Sequence, residues 1–370
     1  MRRTEVMIIA LAVTGLGCRM GNERPDILVP SEVSCPTCSI VIDSVVTLEG
    51  AYLGLGSAII ARDPEGFFYL VDGGDRLLKA YAPDGRFVRQ IGRLGAGPGE
   101  YERIRRIFVG SDSSIRVLDG MLGRLSTFSR NGDFLGSIRV PIVGNPHGPA
   151  VLLEGDVLVA TGTPDGGKDA QYSLAAFDLK GDTVQSVNEV VPSKPGNWWL
   201  YERLLWARPN GELLVAQVFT FAVDVYRSDL TGKSSFRRVG DLIPSQPPEA
   251  APSDGLFDTP ATPQLRMLWE DAQGLVWLGT VVASPLWKPG PSPEQGRRMN
   301  QQTLLTLAER PRFDIVIEVL DMEKQRVLAR SHLNGPAGTP FGGGYLAKSL
   351  QSSKGELGVR ISRVSLQPNP

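Results

Sequence analysis

The chain has 370 residues, of which 42% are hydrophobic, so wholesale disorder is excluded and a large core is available. Its formal net charge of −1 excludes a global basic field for nucleic acid, and its two histidines disfavour His-rich metal sites and His-based catalysis. Gly (42) and Pro (28) together exceed their average share, which predicts many turns.

The first 17 residues are typical of an export signal. Arg2 and Arg3 precede an apolar run, MIIALAVTGLG, that extends from Met7 to Gly17. A basic start followed by about 7–15 apolar residues describes a secretory signal peptide. The run is too short to cross a bilayer, which needs about 20 residues. We therefore predict a signal peptide over residues 1–17.

The end of this run resembles the lipobox of bacterial lipoproteins, in which a cysteine is lipidated and becomes the first residue. Its sequence is Gly15-Leu16-Gly17-Cys18, with the leucine one place late. Cysteine parity agrees, since lipid on Cys18 leaves Cys35 and Cys38 to pair in an oxidising compartment. We expect a lipidated Cys18, a tether over 18–34, and a place in the cell envelope, on the outer membrane or the periplasmic side. An ordinary signal peptide cleaved nearby is the alternative.

The Cys35-Pro-Thr-Cys38 segment is open to three interpretations. A redox pair usually stands in a βαβ context, whereas β-rich sequence follows here. A tetrahedral zinc site needs two more ligands, and the chain has no second cysteine pair. A local disulfide between Cys35 and Cys38 is the simplest interpretation, and its small loop predicts modest stabilisation.

Short β-rich runs alternate with turns along the rest of the chain. The stretch from residue 63 to 92 reads DPEGFFYLVDGGDRLLKAYAPDGRFVRQIG, in which Asp84-Gly85 separates two strands. Asp-Gly and Asn-Gly between β-rich runs indicate tight hairpins, and Asn131-Gly132 repeats the signal. Repeats of about 40–50 residues with four strands each are typical of propeller blades.

We predict an all-β, six-bladed β-propeller over residues 35–370. Five copies span roughly 54–95, 101–145, 147–192, 198–242 and 264–333. The remainder, 342–368, is too short for a blade, and the strand Ser39 to Leu48 (SIVIDSVVTL) completes it. The ring is therefore closed by strands from both termini. A β-sandwich with a separate β-domain is the alternative.

An insertion over residues 284–312 interrupts blade five. Ser292 and Pro293 favour a helix start, and Pro311 bounds the other end. The insertion is either a surface excursion packed on the blade or a lid over one mouth of the channel.

The segment Gln90 to Tyr101, QIGRLGAGPGEY, resembles the blade-joining loop of bacterial six-bladed β-propeller proteins related to the NHL-repeat group. The Cys35–Cys38 pair and the sequence LWEDAQGLVWL from Leu268 are similar to envelope members of that group. The resemblance implies a propeller fold and an envelope location, and it transfers no catalytic residue. A phosphate-binding loop does not fit, because Glu100 and Tyr101 follow the last glycine. We expect the loop to turn the chain between blades.

Two clusters are candidates for partner contact. They comprise Arg103, Arg105, Arg106 and Arg124, which could line one propeller face, and Trp198 and Trp199 with the nearby Trp206. The arginines are otherwise solvated edge residues or ion-pair partners of Glu100 and Glu102. The tryptophans otherwise pack between blades, although aromatic residues near a loop are also typical of binding hot spots.

No serine-hydrolase elbow occurs, and no catalytic, cofactor-binding or metal residue is assigned. Carboxylates near strand ends are candidate ligands for a divalent cation such as Ca²⁺ in the channel, although acidic residues at strand ends are usually turn formers, which is the simpler explanation. These are Asp72, Asp75, Asp119, Glu154 and Asp224. The sequence favours a binding or scaffold module for an envelope protein or a small ligand, without nucleic acid and with the lipid anchor as its membrane contact. A metal-dependent lactonase or hydrolase is the alternative.

Overall fold

The computed structural model describes residues 26–53, 59–110, 112–140, 150–153, 157–161, 174–178, 183–187, 202–238, 242–243, 250, 252–253, 255, 258–292, 294, 312–335, 338–351 and 355–368. Within these ranges the regular elements are 27 β-strands. None of the described residues forms a helix with the length and apolarity that a bilayer crossing requires.

The strands follow one another along the chain in groups of four. Before the first group come β1 (Asp26–Leu28) and β2 (Cys38–Glu49). Blade one comprises β3 (Ile60–Arg62), β4 (Phe68–Val71), β5 (Leu78–Tyr81) and β6 (Phe87–Ile91). A short connector follows, with β7 (Arg93–Leu94) and β8 (Glu100–Tyr101). Blade two comprises β9 (Ile104–Val109), β10 (Ile115–Asp119), β11 (Arg124–Phe128) and β12 (Phe134–Arg139).

The second half repeats the arrangement. Blade three comprises β13 (Ala150–Leu153), β14 (Val157–Thr161), β15 (Leu174–Phe177) and β16 (Thr183–Val187). Blade four comprises β17 (Arg203–Ala207), β18 (Leu213–Gln217), β19 (Ala222–Tyr226) and β20 (Gly232–Arg237). Blade five comprises β21 (Gln264–Glu270), β22 (Val276–Ala283), β23 (Phe313–Asp321) and β24 (Arg326–Leu333). The last strands are β25 (Thr339–Gly342), β26 (Tyr345–Gln351) and β27 (Leu357–Pro368).

Closure of the ring confirms the predicted fold class. Among the described residues, six sheets have four or more strands, and blade six has the order β2-β27-β26-β25. The N-terminal strand β2 pairs antiparallel with the C-terminal strand β27, from Cys38 opposite Pro368 to Glu49 opposite Gly358. Strands from the two termini therefore share one blade, and the predicted Ser39–Leu48 strand is one residue longer at each end.

The hairpin between the third and fourth strands of blade one shows how local sequence sets this packing. Gly85 has a φ of 88°, which L side chains rarely adopt. A Cβ at this position would lie 2.1 Å from the carbonyl oxygen of Thr47 in β2. The Asp84-Gly85 turn thus presses directly against blade six, and glycine permits both the turn and the close contact.

The core lies between the blades rather than at the centre of the ring. Between blades five and six, the stacked indoles of Trp269 and Trp277 have ring centroids 5.4 Å apart within a cluster of buried apolar residues. Blades one and two bury Tyr69, Ile107 and Phe128 together in a second cluster. Radial packing supplies each sheet with the partner that it lacks alone.

The N-terminal segment is the main departure from the prediction. Residues 26–34 do not extend freely as a tether: β1 pairs in parallel with β20 as a fifth strand of blade four. Further along, Val33 bridges Val327, and the Ser34 amide donates to the Val327 carbonyl at 2.8 Å on blade five. We call residues 26–38 the strap. The unpaired outer edges of these blades provide backbone partners, and composition gives no sign of that pairing. Residues 1–25 lie outside the described part.

The strap ends in the disulfide between Cys35 and Cys38, whose Cα atoms are 5.4 Å apart. This confirms the simplest of the three interpretations of the pair. The other irregular feature, the 284–312 insertion, stands between β22 and β23. At its start, Trp287 Nε1 donates to the Gly255 carbonyl at 2.7 Å. Of the predicted helix after Ser292, the described residue is Glu294, which is helical, and the rest lies outside the described residues.

Candidate functional site

The innermost strands of the six blades surround a central channel. Its cavity has a volume of about 630 Å³, within the range of about 300–1,000 Å³ of small-molecule sites. Each blade contributes at least one lining residue, for example Ile60, Arg106, Ala150, Leu204, Arg266 and Pro340. The innermost strand of each blade, namely β3, β9, β13, β17, β21 or β25, therefore builds the wall of the candidate site.

Three arginines from three blades line this channel. Arg62 comes from blade one, Arg106 from blade two and Arg266 from blade five. The Arg266 Nη1 atom lies 3.6 Å from Glu202 Oε2. Burial raises the pKa of Glu202, and the charge of Arg266 opposes that shift. Among the described residues, Arg62 and Arg106 have no carboxylate within 4 Å, so no described carboxylate compensates their charge.

Arg106 is in an unusual environment. Its side chain is accessible to solvent, yet protein surrounds it within the channel, and this desolvation lowers the pKa of its guanidinium. The adjacent Arg105 is 7% exposed. Burial, and secondly the charge of Arg106, lowers the pKa of Arg105 to about 10. Both groups remain cationic near neutral pH, at a cost in desolvation and repulsion.

One part of the wall is aromatic. The rings of Phe341 and Tyr345 stack with centroids 5.8 Å apart, and the guanidinium carbon of Arg62 lies 4.9 Å from the Tyr345 ring centroid. Trp206 lines the same cavity, and its buried indole N–H has no acceptor among the described residues. The channel therefore combines flat apolar surfaces with hydrogen-bond donors.

Asp63 also lines the channel, but its carboxylate is already engaged. It is 1% exposed and accepts bonds from the Phe67 amide at 2.8 Å and the Tyr69 hydroxyl at 3.0 Å, and Arg130 Nη2 lies 3.2 Å away. Burial, and secondly Asp63, raises the pKa of the Tyr69 hydroxyl. Asp63 thus anchors a hairpin and does not balance the channel arginines.

The carboxylates considered as metal ligands form turns and strand contacts. Asp72 accepts from the Gly74 amide at 2.8 Å, Asp75 from the Leu77 amide at 3.0 Å, Asp119 from the Glu102 amide at 2.7 Å, and Asp224 from the Ser235 hydroxyl at 2.6 Å. Glu154 lies outside the described residues. In the described part of the chain, His, Cys, Asp and Glu side chains form no group of three or more that could hold a metal ion.

The structure separates the arginines that were predicted to share one face. Arg106 lines the channel, the adjacent Arg105 is buried and is not part of the lining, and Arg103 is exposed outside the lining. Arg124 serves the blade connector, since its guanidinium donates to the carbonyls of Ala96 at 3.0 Å, Gly97 at 2.8 Å and Glu100 at 2.6 Å. Trp198 and Trp199 lie outside the described residues, so their role in partner contact stays a prediction.

The connector itself acts as a turning device, as its glycines predicted. The Glu100 carboxylate accepts from the Gly97 amide and from Arg93 Nε, both at 2.7 Å. A Cβ at Gly95 would lie 2.2 Å from that carboxylate. The Tyr101 hydroxyl accepts from the Leu78 amide at 2.9 Å and donates to the Ile91 carbonyl at 3.1 Å. Glu100 thus holds the connector in its turned conformation, and Tyr101 bonds it to blade one.

Comparisons with known proteins agree on the fold. A sequence model of the family DUF5128, described as a 6-bladed beta-propeller, matches residues 68–161. A DUF4221 family member from Bacteroides vulgatus is 12% identical and covers 90% of this chain and 99% of its own, with a TM-score of 0.63. A candidate exported protein from Bacteroides fragilis is 13% identical, and the match covers 92% of this chain and 99% of that protein, with a TM-score of 0.54. The search of curated proteins found no match. At these identities the shared property is the propeller fold.

Proposed function

We propose that this chain is a cell-envelope binding module and that its central channel is the binding site. The observation that carries the proposal is the channel itself: about 630 Å³, walled by all six blades, with cationic and aromatic side chains facing one cavity. A concave site with a few polar groups among apolar walls is the usual form of a small-ligand site.

Binding is favoured over metal-dependent hydrolysis by the sign of the charge in the channel. Arg62 and Arg106 would repel a divalent cation, and the carboxylate of Asp63 is held by its own hairpin and Arg130. Calorimetric titration with Ca²⁺ and with Zn²⁺ tests this choice. Heat of stoichiometric binding with either ion would favour a metal-dependent hydrolase or lactonase as the function.

The proposed location rests on the N-terminal sequence. The export signal over residues 1–17 and the lipobox-like segment before Cys18 support lipid anchoring, and the Cys35–Cys38 disulfide fits an oxidising compartment. The similar fold of the Bacteroides fragilis protein, a candidate for export, points to the same location. Mass spectrometry of the membrane fraction should find a mature N-terminus at a lipidated Cys18, and Cys18→Ser should release the protein. A different mature N-terminus would exclude this anchor.

The binding role can be tested before the ligand is known. Protein purified gently from its own envelope fraction is examined by native mass spectrometry for a retained small molecule. Val151→Trp places a bulky ring in the channel wall, and Val45→Trp makes the same change on the exposed outer strand β2. The retained mass should persist in Val45→Trp and disappear in Val151→Trp, with melting curves to show that both fold. Leu204→Trp replaces Val151→Trp if that variant does not fold. A mass retained in the blocked variant would exclude the channel.

A further inference from the structure

The charge balance of the channel suggests what it binds. Its three guanidinium groups come from blades one, two and five, so two of them, Arg106 and Arg266, lie on opposite sides of a six-blade ring. Among the described residues, Glu202 is the carboxylate within ion-pair distance of this set, at 3.6 Å from Arg266. The lining therefore presents more cationic than anionic groups to whatever occupies it.

The hydrogen-bonding groups of the lining are likewise unbalanced, because donors outnumber acceptors. A guanidinium offers five N–H donors and no acceptor, and an indole offers one donor. The Trp206 Nε1 donor is buried without a partner among the described residues, and Arg62 is held there by the face of Tyr345 rather than by an anion. The Trp206 donor is itself shielded from the cavity, so the guanidinium donors are the ones that an occupant with acceptor oxygens would meet.

The rest of the lining is suited to an apolar body. Phe108, Leu204, Leu268 and the stacked pair Phe341 and Tyr345 form much of the wall. Flat aromatic faces pack well against rings and acyl chains. The volume of about 630 Å³ accommodates a molecule of the size of a substituted naphthalene or larger.

We propose that the channel binds a small organic anion, with a carboxylate or phosphate on an apolar or aromatic body, and that Arg106 is the main contact of its anionic group. The inference rests on the proposed function, since it concerns the same channel. Arg106 is favoured over Arg62 and Arg266 because it is solvent-accessible within the channel and engaged with neither an aromatic face nor a carboxylate there.

Four probes with one common ring system test this chemistry: naphthylacetate, naphthyl phosphate, naphthylethanol and naphthylmethylamine. Their intrinsic fluorescence anisotropy measures affinity for the full mature protein. We expect at least one anionic probe to bind about tenfold or more tightly than the alcohol and the amine, because charge-assisted hydrogen bonds are the strong ones. The ratio of the affinities for the two anionic probes decides whether the channel prefers a carboxylate or a phosphate.

Arg106→Ala should lower the affinity for the anionic probe by about tenfold or more, equivalent to a loss of about 1.4 kcal/mol in binding free energy. Arg103→Ala removes the same charge three residues away, outside the channel, and should change affinity by less than about twofold. Arg266→Ala is a second channel variant if Arg106→Ala does not fold. Equal losses from Arg103→Ala and Arg106→Ala would overturn the assignment of Arg106.

The outcomes distinguish this inference from the function on which it rests. If the alcohol or the amine binds tightly, and Val151→Trp abolishes that binding, the channel is a binding site but its ligand is not an anion. Failure of every probe to bind would overturn the inference for these anions, while the native mass spectrometry of co-purified ligand decides on the binding role itself.

Discussion

A buried ion pair joins blade four to blade five and gives the most direct test of how the ring is held together. Arg238 follows β20, and its Nη1 and Nη2 atoms donate to the two carboxylate oxygens of Glu318 in β23, both at 2.8 Å. The side chains are 2% and 0% exposed. Arg330 donates to the same carboxylate at 2.8 Å, and its Nη2 reaches the Ser31 carbonyl in the strap at 2.9 Å. One carboxylate therefore connects two blades and the strap.

Glu318→Gln keeps the shape of this side chain but removes its charge, so two guanidinium groups lose their counterion. Breaking a buried pair by removing one partner costs about 3–5 kcal/mol, mostly because the remaining charge stays buried without compensation. Since Gln still accepts one hydrogen bond, we expect the lower part of that range. Urea denaturation followed by tryptophan fluorescence measures the change in the free energy of unfolding.

Glu323→Gln is the matched control, because it is the same substitution on an exposed turn of the same blade, and it should change stability by less than about 0.5 kcal/mol. A double variant, Arg238→Met with Glu318→Leu, should recover part of the loss, since it removes the buried charges of Arg238 and Glu318, and the remaining Arg330, which is 32% exposed, can be solvated by water. The reasoning would be refuted if Glu318→Gln were as mild as the control, or if the double variant were less stable than Glu318→Gln.

Three further changes test separate contacts. Tyr101→Phe leaves the Leu78 amide without its acceptor and should lower the free energy of unfolding, measured in urea, by about 1–3 kcal/mol. An unchanged free energy of unfolding would show that this hydroxyl does not stabilise the connector. Burial opposes ionisation of Asp314, but hydrogen bonds, first from the Gly335 amide, hold its pKa below the ordinary value. Its contribution is therefore full above about pH 4 and is lost as the pH falls through the lower folded-state pKa, so the acid unfolding curve of Asp314→Asn should be flatter than that of the wild type. Cys35→Ser opens a very small loop and should cost about 2 kcal/mol or less in thermal or urea unfolding, and a loss of the whole fold would contradict this modest role.

Sequence reasoning was accurate where structure depends on local pattern. The Asp84-Gly85 hairpin, the strand that begins blade six and the turning role of Glu100 and Tyr101 all follow from neighbouring residues. It was less accurate for the strap, because residues 26–34 have a polar, proline-containing composition and their partners, β20 and Val327, lie about 200 to 300 positions away.

The channel site could be predicted only in part for the same reason. Arg106 was a candidate because it stands in a dense basic run, but nothing local relates it to Arg62, Arg266 or Tyr345. Those side chains meet because each occupies the inner strand of its own blade, and ring closure brings the inner strands together. Arg124 shows the opposite case, since a charge expected at a contact surface is used to bind loop carbonyls.

The position of Arg106 allows one more test, which separates a functional residue from a structural one. Desolvation lowers its pKa, and it adds repulsion to the buried Arg105, so the fold itself gains little from this charge. Because the Arg106 side chain is also exposed to solvent, which screens both effects, Arg106→Met should leave the free energy of unfolding unchanged or raise it slightly, while it weakens binding of the anionic probe as Arg106→Ala does. Arg103→Met, on an exposed neighbour, should change neither property appreciably. Urea unfolding and probe anisotropy on the same samples measure both. A loss of stability in Arg106→Met, together with a loss of binding, would mean that Arg106 supports the blade rather than a ligand.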